Sequence, residues 1–194
     1  MKKKNKSILF ISLTIIMFFF VISGLVVSLK LGEQDQSVNK DKLEVVFNSS
    51  QNVELKNILP MSDELGKKLN NQSVEKSGYG YLNITVKNRS NKKLDYNIYI
   101  IKNADTDSKI NDKFIKFYLT DKSNNPVGNY GKNVVPTYLD LLSMSSLPAG
   151  RIIYSDTLEE NQEKSFILRS WVSDFYNMVE EEESFDFDVF VKSK

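Results

Sequence analysis

The sequence contains neither cysteine nor histidine. Without cysteine there is no disulfide framework, thiol nucleophile or zinc–thiolate site. Without histidine there is no Ser-His-Asp triad, no imidazole metal ligand and no imidazole switch near neutral pH. Proline is scarce, at four residues, and Trp171 is the only tryptophan. Charge of either sign is also missing from one long stretch: Ile8 to Leu29 reads ILFISLTIIMFFFVISGLVVSL.

That run of 22 residues is long enough to cross a hydrocarbon core of roughly 30 Å as a helix. Lys2, Lys3, Lys4 and Lys6 precede it, and Glu33 and Asp35 follow soon after it. The positive-inside rule then places residues 1–7 in the cytoplasm, residues 8–29 in the membrane and the rest outside. The alternative is a cleaved signal peptide with small residues at Ser23 or Ser28 and secretion of the remainder. Residues 30–42 are polar and aperiodic and read as a stalk. A cysteine-free domain on such a leader suits a bacterial surface better than a small secreted eukaryotic domain, which is often disulfide-stapled.

Overall charge is nearly balanced, with 26 Lys+Arg against 25 Asp+Glu. Five of the basic residues fall in the first 30 positions, which hold no acid, so the remainder carries 21 basic and 25 acidic residues. A mildly acidic domain binds phosphate backbones poorly, and nucleic acid is set aside as a partner.

From residue 43 to residue 194 the dominant pattern is alternation at period two, the mark of half-buried strands. It runs through Leu43/Val45/Phe47, Leu82/Ile84/Val86, Tyr96/Ile98/Ile100, Ile115/Phe117/Leu119 and Phe185/Phe187/Val189/Val191. Arg151–Leu158 and Ser165–Val172 complete about seven strands. The polar clusters Asn88–Lys93 and Glu159–Lys164 read as the turns of two hairpins. Ser62–Leu69 suggests one short helical turn. Val135–Met144 and Ser173–Glu182 are connectors with room for another. The expected class is mostly β: an Ig-like or jelly-roll sandwich behind one transmembrane helix.

Several groups bear on chemistry. Ser73-Val74-Glu75-Lys76 has the letters of a Ser–Lys dyad, but it sits beside Gly78 and Gly80 without a convincing helix to carry it. Glu180–Glu183, with Asp186 and Asp188, is the densest carboxylate run. Its spacing matches no EF-hand, and a solvated acidic edge accounts for it as well as a Ca²⁺ site. Trp171 is expected to pack, in the core or over a neighbour on an outer face. Tyr79, Tyr81, Tyr130 and Tyr138 are the residues from which a concave aromatic ligand patch would be built. No catalytic, cofactor or metal residue is assigned, and no cofactor is expected.

Pro148-Ala149-Gly150, Ile152–Leu158, a Glu-rich turn, Phe166-Ile167-Leu168-Arg169-Ser170-Trp171-Val172 and a final Phe-x-Phe-x-Val-x-Val strand form a recognisable succession. Together with Val86-Lys87-Asn88-Arg89-Ser90, it resembles the small Gram-positive surface proteins of the camelysin and TasA matrix-fibre type. The likeness spans about half the chain. It implies a jelly-roll or Ig-like sandwich, export, and a part in surface structure or fibre assembly. The expectation is thus a non-enzymatic surface protein acting through protein partners or self-association. A small-ligand or glycan-binding module is the alternative, and a hydrolase comes third.

Overall fold

A computed structural model describes residues 43–56, 59–71, 78–103, 110–128, 134–177 and 183–194. The proposed anchor Ile8–Leu29 and the 30–42 stalk lie outside them. Among the described residues no helix is long and apolar enough to cross a membrane.

Nine strands are described: β1 Leu43–Phe47, β2 Asn52–Lys56, β3 Gly80–Asn88, β4 Leu94–Lys102, β5 Ile115–Asp121, β6 Leu142–Met144, β7 Leu147–Leu158, β8 Glu163–Val172 and β9 Ser184–Ser193. They form two antiparallel sheets, ordered β1-β3-β8-β5 and β2-β9-β4-β7-β6. The two strands beyond the expected seven, β2 and β6, are both at edges of the five-stranded sheet. β2 buries only Leu55 and presents Glu54 and Lys56 to solvent, the charged, short form that protects an edge. β6 has three residues, too few to show a period.

The helical turn expected around Ser62–Leu69 is present as α1, Asp63–Gly66, with Ser62 at its N-cap position. A 3-10 turn, Tyr138–Asp140, occupies the 135–144 connector and is closed by a reciprocal capping box between Thr137 and Asp140.

Both expected hairpins are corrected by the sheet pairing. β3 pairs with β8, and β4 pairs with β7. The segments Asn88–Lys93 and Glu159–Lys164 therefore carry the chain from one sheet to the other. Alternation specifies which face of a strand is buried but not which strand lies beside it, and stacked sheets stand only about 10 Å apart. The four- and five-residue polar connections between these strands span that gap as readily as they would close a hairpin.

The pairings β2–β9, β3–β8 and β4–β7 are nested one inside the next. The two antiparallel sheets make the expected β-sandwich.

Between the sheets lies one apolar core. Leu82, Ile84 and Val86 of β3 and Phe117 of β5 meet Ile98 and Ile100 of β4 and Phe187 of β9, all at most 1% exposed. The Phe117 ring stands edge-on to that of Phe187 at 5.1 Å, across the sandwich. Phe185, Phe187, Val189 and Val191 are all buried, as the C-terminal alternation requires.

The arches meet at Asn88, which is fully buried. Its amide nitrogen donates to the carbonyls of Lys92 at 2.7 Å, Glu159 at 3.0 Å and Leu158 at 3.3 Å. Its Oδ1 accepts from the backbone N–H and hydroxyl of Ser90. The two crossings thus share one polar pin at the pole where β1 begins and β9 ends.

Candidate functional site

Ser73, Lys76, Tyr130 and Glu180–Glu182 lie outside the described residues. Glu183 accepts a hydrogen bond from the Tyr176 hydroxyl at 2.5 Å. Asp188 accepts one from Asn52 at 3.0 Å, and Asp186 is buried in β9. Among the described residues no three carboxylates are grouped to hold a metal ion.

The tyrosine patch is not assembled as expected. Tyr138 is a core residue: its ring contacts Phe117 and Phe185, its hydroxyl donates to the Ala149 carbonyl at 2.6 Å, and it accepts from the Lys102 N–H at 3.3 Å. Tyr79 is 8% exposed and spends its hydroxyl on the Leu59 carbonyl at 2.9 Å. Tyrosine suits an apolar pocket with one polar exit as well as a binding face, and composition does not distinguish the two.

Two other places concentrate polar chemistry. The first is an open groove of about 420 Å³ between β7, the start of β8 and the turn after β5. Its floor is Tyr154 and Phe166, packed edge to face at 5.3 Å. Asp156 lies at its centre and accepts from Lys164 Nζ at 2.6 Å, the Tyr154 hydroxyl at 3.0 Å and the Tyr96 hydroxyl at 3.5 Å.

Burial alone would raise the Asp156 pKa. The Lys164 ammonium, the Thr157 backbone N–H and the Tyr154 hydroxyl outweigh it and hold the carboxyl below its ordinary range. Desolvation, with the neighbouring carboxylate, pushes Tyr154 up to about 12 and Tyr96 higher still. The cluster therefore holds an ionised carboxylate among protonated tyrosines at neutral pH. That is a fixed hydrogen-bonding constellation, without a base poised near 7.

The second place is the outer face of the four-stranded sheet. Along β8, Phe166, Leu168, Ser170 and Val172 point inward, so Arg169 and Trp171 share the opposite face. Tyr81 of β3 and Tyr118 of β5 are the direct cross-strand neighbours of Arg169 on either side. The guanidinium carbon lies 5.6 Å from the Tyr81 ring centre.

Residues 59–70 cross this face as a strap. Gly66 lies on the Trp171 indole so closely that a Cβ there would fall 2.2 Å from Cε2. Trp171 is fully buried and Arg169 is 5% exposed; burial lowers the guanidinium pKa. Of the two packings expected for Trp171, the structure selects the outer face beneath a covering segment. Arg169 was not singled out from the sequence. Its signal was the Arg-x-Trp spacing, which puts two large side chains on the face that Leu168 avoids.

No family model matches the chain, and no curated protein matches it. Among solved structures, the C-terminal domain of a chitobiase from Bacteroides fragilis is similar at a TM-score of 0.24 and 9% identity, over 59% of this chain and 66% of that one. A β-glucosidase from Kluyveromyces marxianus is similar at 0.25 and 12% identity, over 84% of this chain and 16% of that one. CpGH89CBM32-5 from Clostridium perfringens, in complex with GalNAc-β-1,3-galactose, is similar at 0.24 and 11% identity, over 76% and 94% of the two chains. This chain thus spans under two thirds of the first two proteins, and TM-scores near 0.25 establish neither a shared fold nor a shared function.

Proposed function

We propose that the chain is a single-pass surface protein whose sandwich is displayed outside a bacterial cytoplasm and works by contact, without catalysis. The observation that carries this reading is a group of large apolar side chains left in the open on the described domain.

Leu59, Leu65 and Phe175 are 67%, 59% and 83% exposed. A parallel bridge between Met61 and Ser173 draws their two segments together. Large apolar side chains left in the open are the ordinary material of a protein contact. The resemblance to camelysin and TasA-type fibre proteins supports the same reading, with self-association as its specific form.

The test is topological. Protease added to intact, wall-stripped cells should remove the domain and leave a short N-terminal fragment in the membrane. A domain protected until the cells are lysed would overturn the assignment.

A further inference from the structure

The groups beneath the strap are those of a ligand site. Arg169 meets no carboxylate among the described residues. Its Nε donates to the Leu69 carbonyl at 2.7 Å, Nη1 to Thr120 Oγ1 at 3.0 Å and Nη2 to Asn124 Oδ1 at 2.7 Å. A guanidinium has five N–H donors, so one on each terminal nitrogen is left over. A carboxylate accepts from such terminal N–H groups. Beside it, the buried Trp171 Nε1 has no acceptor. A buried charge satisfied only by neutral groups, next to an unused buried donor, is a costly arrangement for a purely structural face.

The strap is lightly attached. Its described polar ties to the rest of the domain are the Met61 N–H to the Val172 carbonyl, the Asp174 N–H to the Met61 carbonyl, the Tyr79 and Arg169 bonds, a 3.9 Å ion pair from Lys116 to Asp63, and the Lys67 ammonium 5.8 Å from the Tyr118 ring centre. Glu64, Leu65 and Lys68 are exposed, while Gly66 and Leu69 are buried. A segment tied down by so few hydrogen bonds opens at lower cost than the laddered sheets beneath it.

We propose that the strap Leu59–Asn70 is a displaceable cover, and that the face beneath it, Trp171 with Tyr81, Arg169 and Tyr118, binds an acidic saccharide. The sugar ring stacks on the indole where Gly66 now lies, and its carboxylate takes the two free N–H groups of Arg169. An acidic peptide fits less well. β8 is flanked by β3 and β5, so the face offers no free strand edge for backbone pairing. It offers ring faces and a guanidinium instead.

The chain supplies its own probe and its own lock. Trp171 is the only tryptophan and there is no cysteine, so indole emission reports this face alone and a Met61→Cys/Ser173→Cys pair would close the strap by one disulfide. Detergent-solubilised full-length protein would be titrated with an oligogalacturonate, with a neutral galactose oligomer as control. The oligogalacturonate should shift Trp171 emission saturably and the neutral oligomer should not. Binding should disappear in the oxidised double-cysteine variant and return on reduction. Arg169→Gln should weaken it by about tenfold or more. No binding by the wild-type chain, equal binding of the neutral oligomer, or equal binding by the oxidised and reduced variants would each overturn the proposal. Because the locked variant keeps Arg169, a folding defect in Arg169→Gln leaves the oxidation comparison decisive.

Discussion

The amide of Asn88 donates to the carbonyl of Leu158 at 3.3 Å, joining the last residue of β3 in one sheet to the last residue of β7 in the other. With its bonds to Lys92 and Glu159, one side chain closes both crossings. Asn88→Ala should cost about 2–3 kcal/mol in urea unfolding, because buried carbonyls lose their donor. Asn88→Asp keeps the size but turns an acceptor toward three carbonyls, and should cost at least as much. An Asp variant as stable as wild type would show that the pin is dispensable.

Phe187 is fully buried and faces Phe117 across the core. Phe187→Ala should lower stability by about 3–5 kcal/mol, from lost burial plus the cavity left behind. A loss below about 1 kcal/mol would place β9 outside the cooperative core.

Asp156 links pH to stability in the acid range. Its folded pKa is depressed, so its contribution is complete above the unfolded value, near about 3.9, and is lost as pH falls through the folded value. The stability gap between wild type and Asp156→Asn should therefore be widest near neutrality and narrow progressively below about pH 4. A gap that is constant across that range would mean the carboxylate charge contributes nothing.

Tyr138 separates a core role from a ligand role. Tyr138→Phe removes the bond to Ala149 and the acceptor for Lys102. The expected result is a loss of about 1–3 kcal/mol with the oligogalacturonate titration of Trp171 unchanged. Lost binding with unchanged stability would return Tyr138 to the ligand face.

The buried faces were legible in the sequence. Leu82, Ile84, Val86, Tyr96, Ile98, Ile100, Ile115, Phe117 and Leu119 are all buried, since a period of two leaves a half-buried strand little choice of face. The short helical turn after Ser62 was legible too. The candidate sites were much less so. Arg169 and Asp156 look like ordinary strand residues, and their significance comes from neighbours that sequence does not list: Leu69 lies 100 positions from Arg169.

By itself, then, the sequence determined a cysteine- and histidine-free β-rich domain behind an apolar, lysine-flanked N-terminal run, with its main core residues identified. Composition and periodicity are local properties, and local patterning is enough to decide which side of a strand leaves water. Tertiary structure decided that Asn88–Lys93 and Glu159–Lys164 cross between sheets, that Tyr138 is core, and that Gly66 lies on Trp171. Those outcomes depend on partners tens of residues away and on whether one backbone can approach another ring, which only the packed chain fixes.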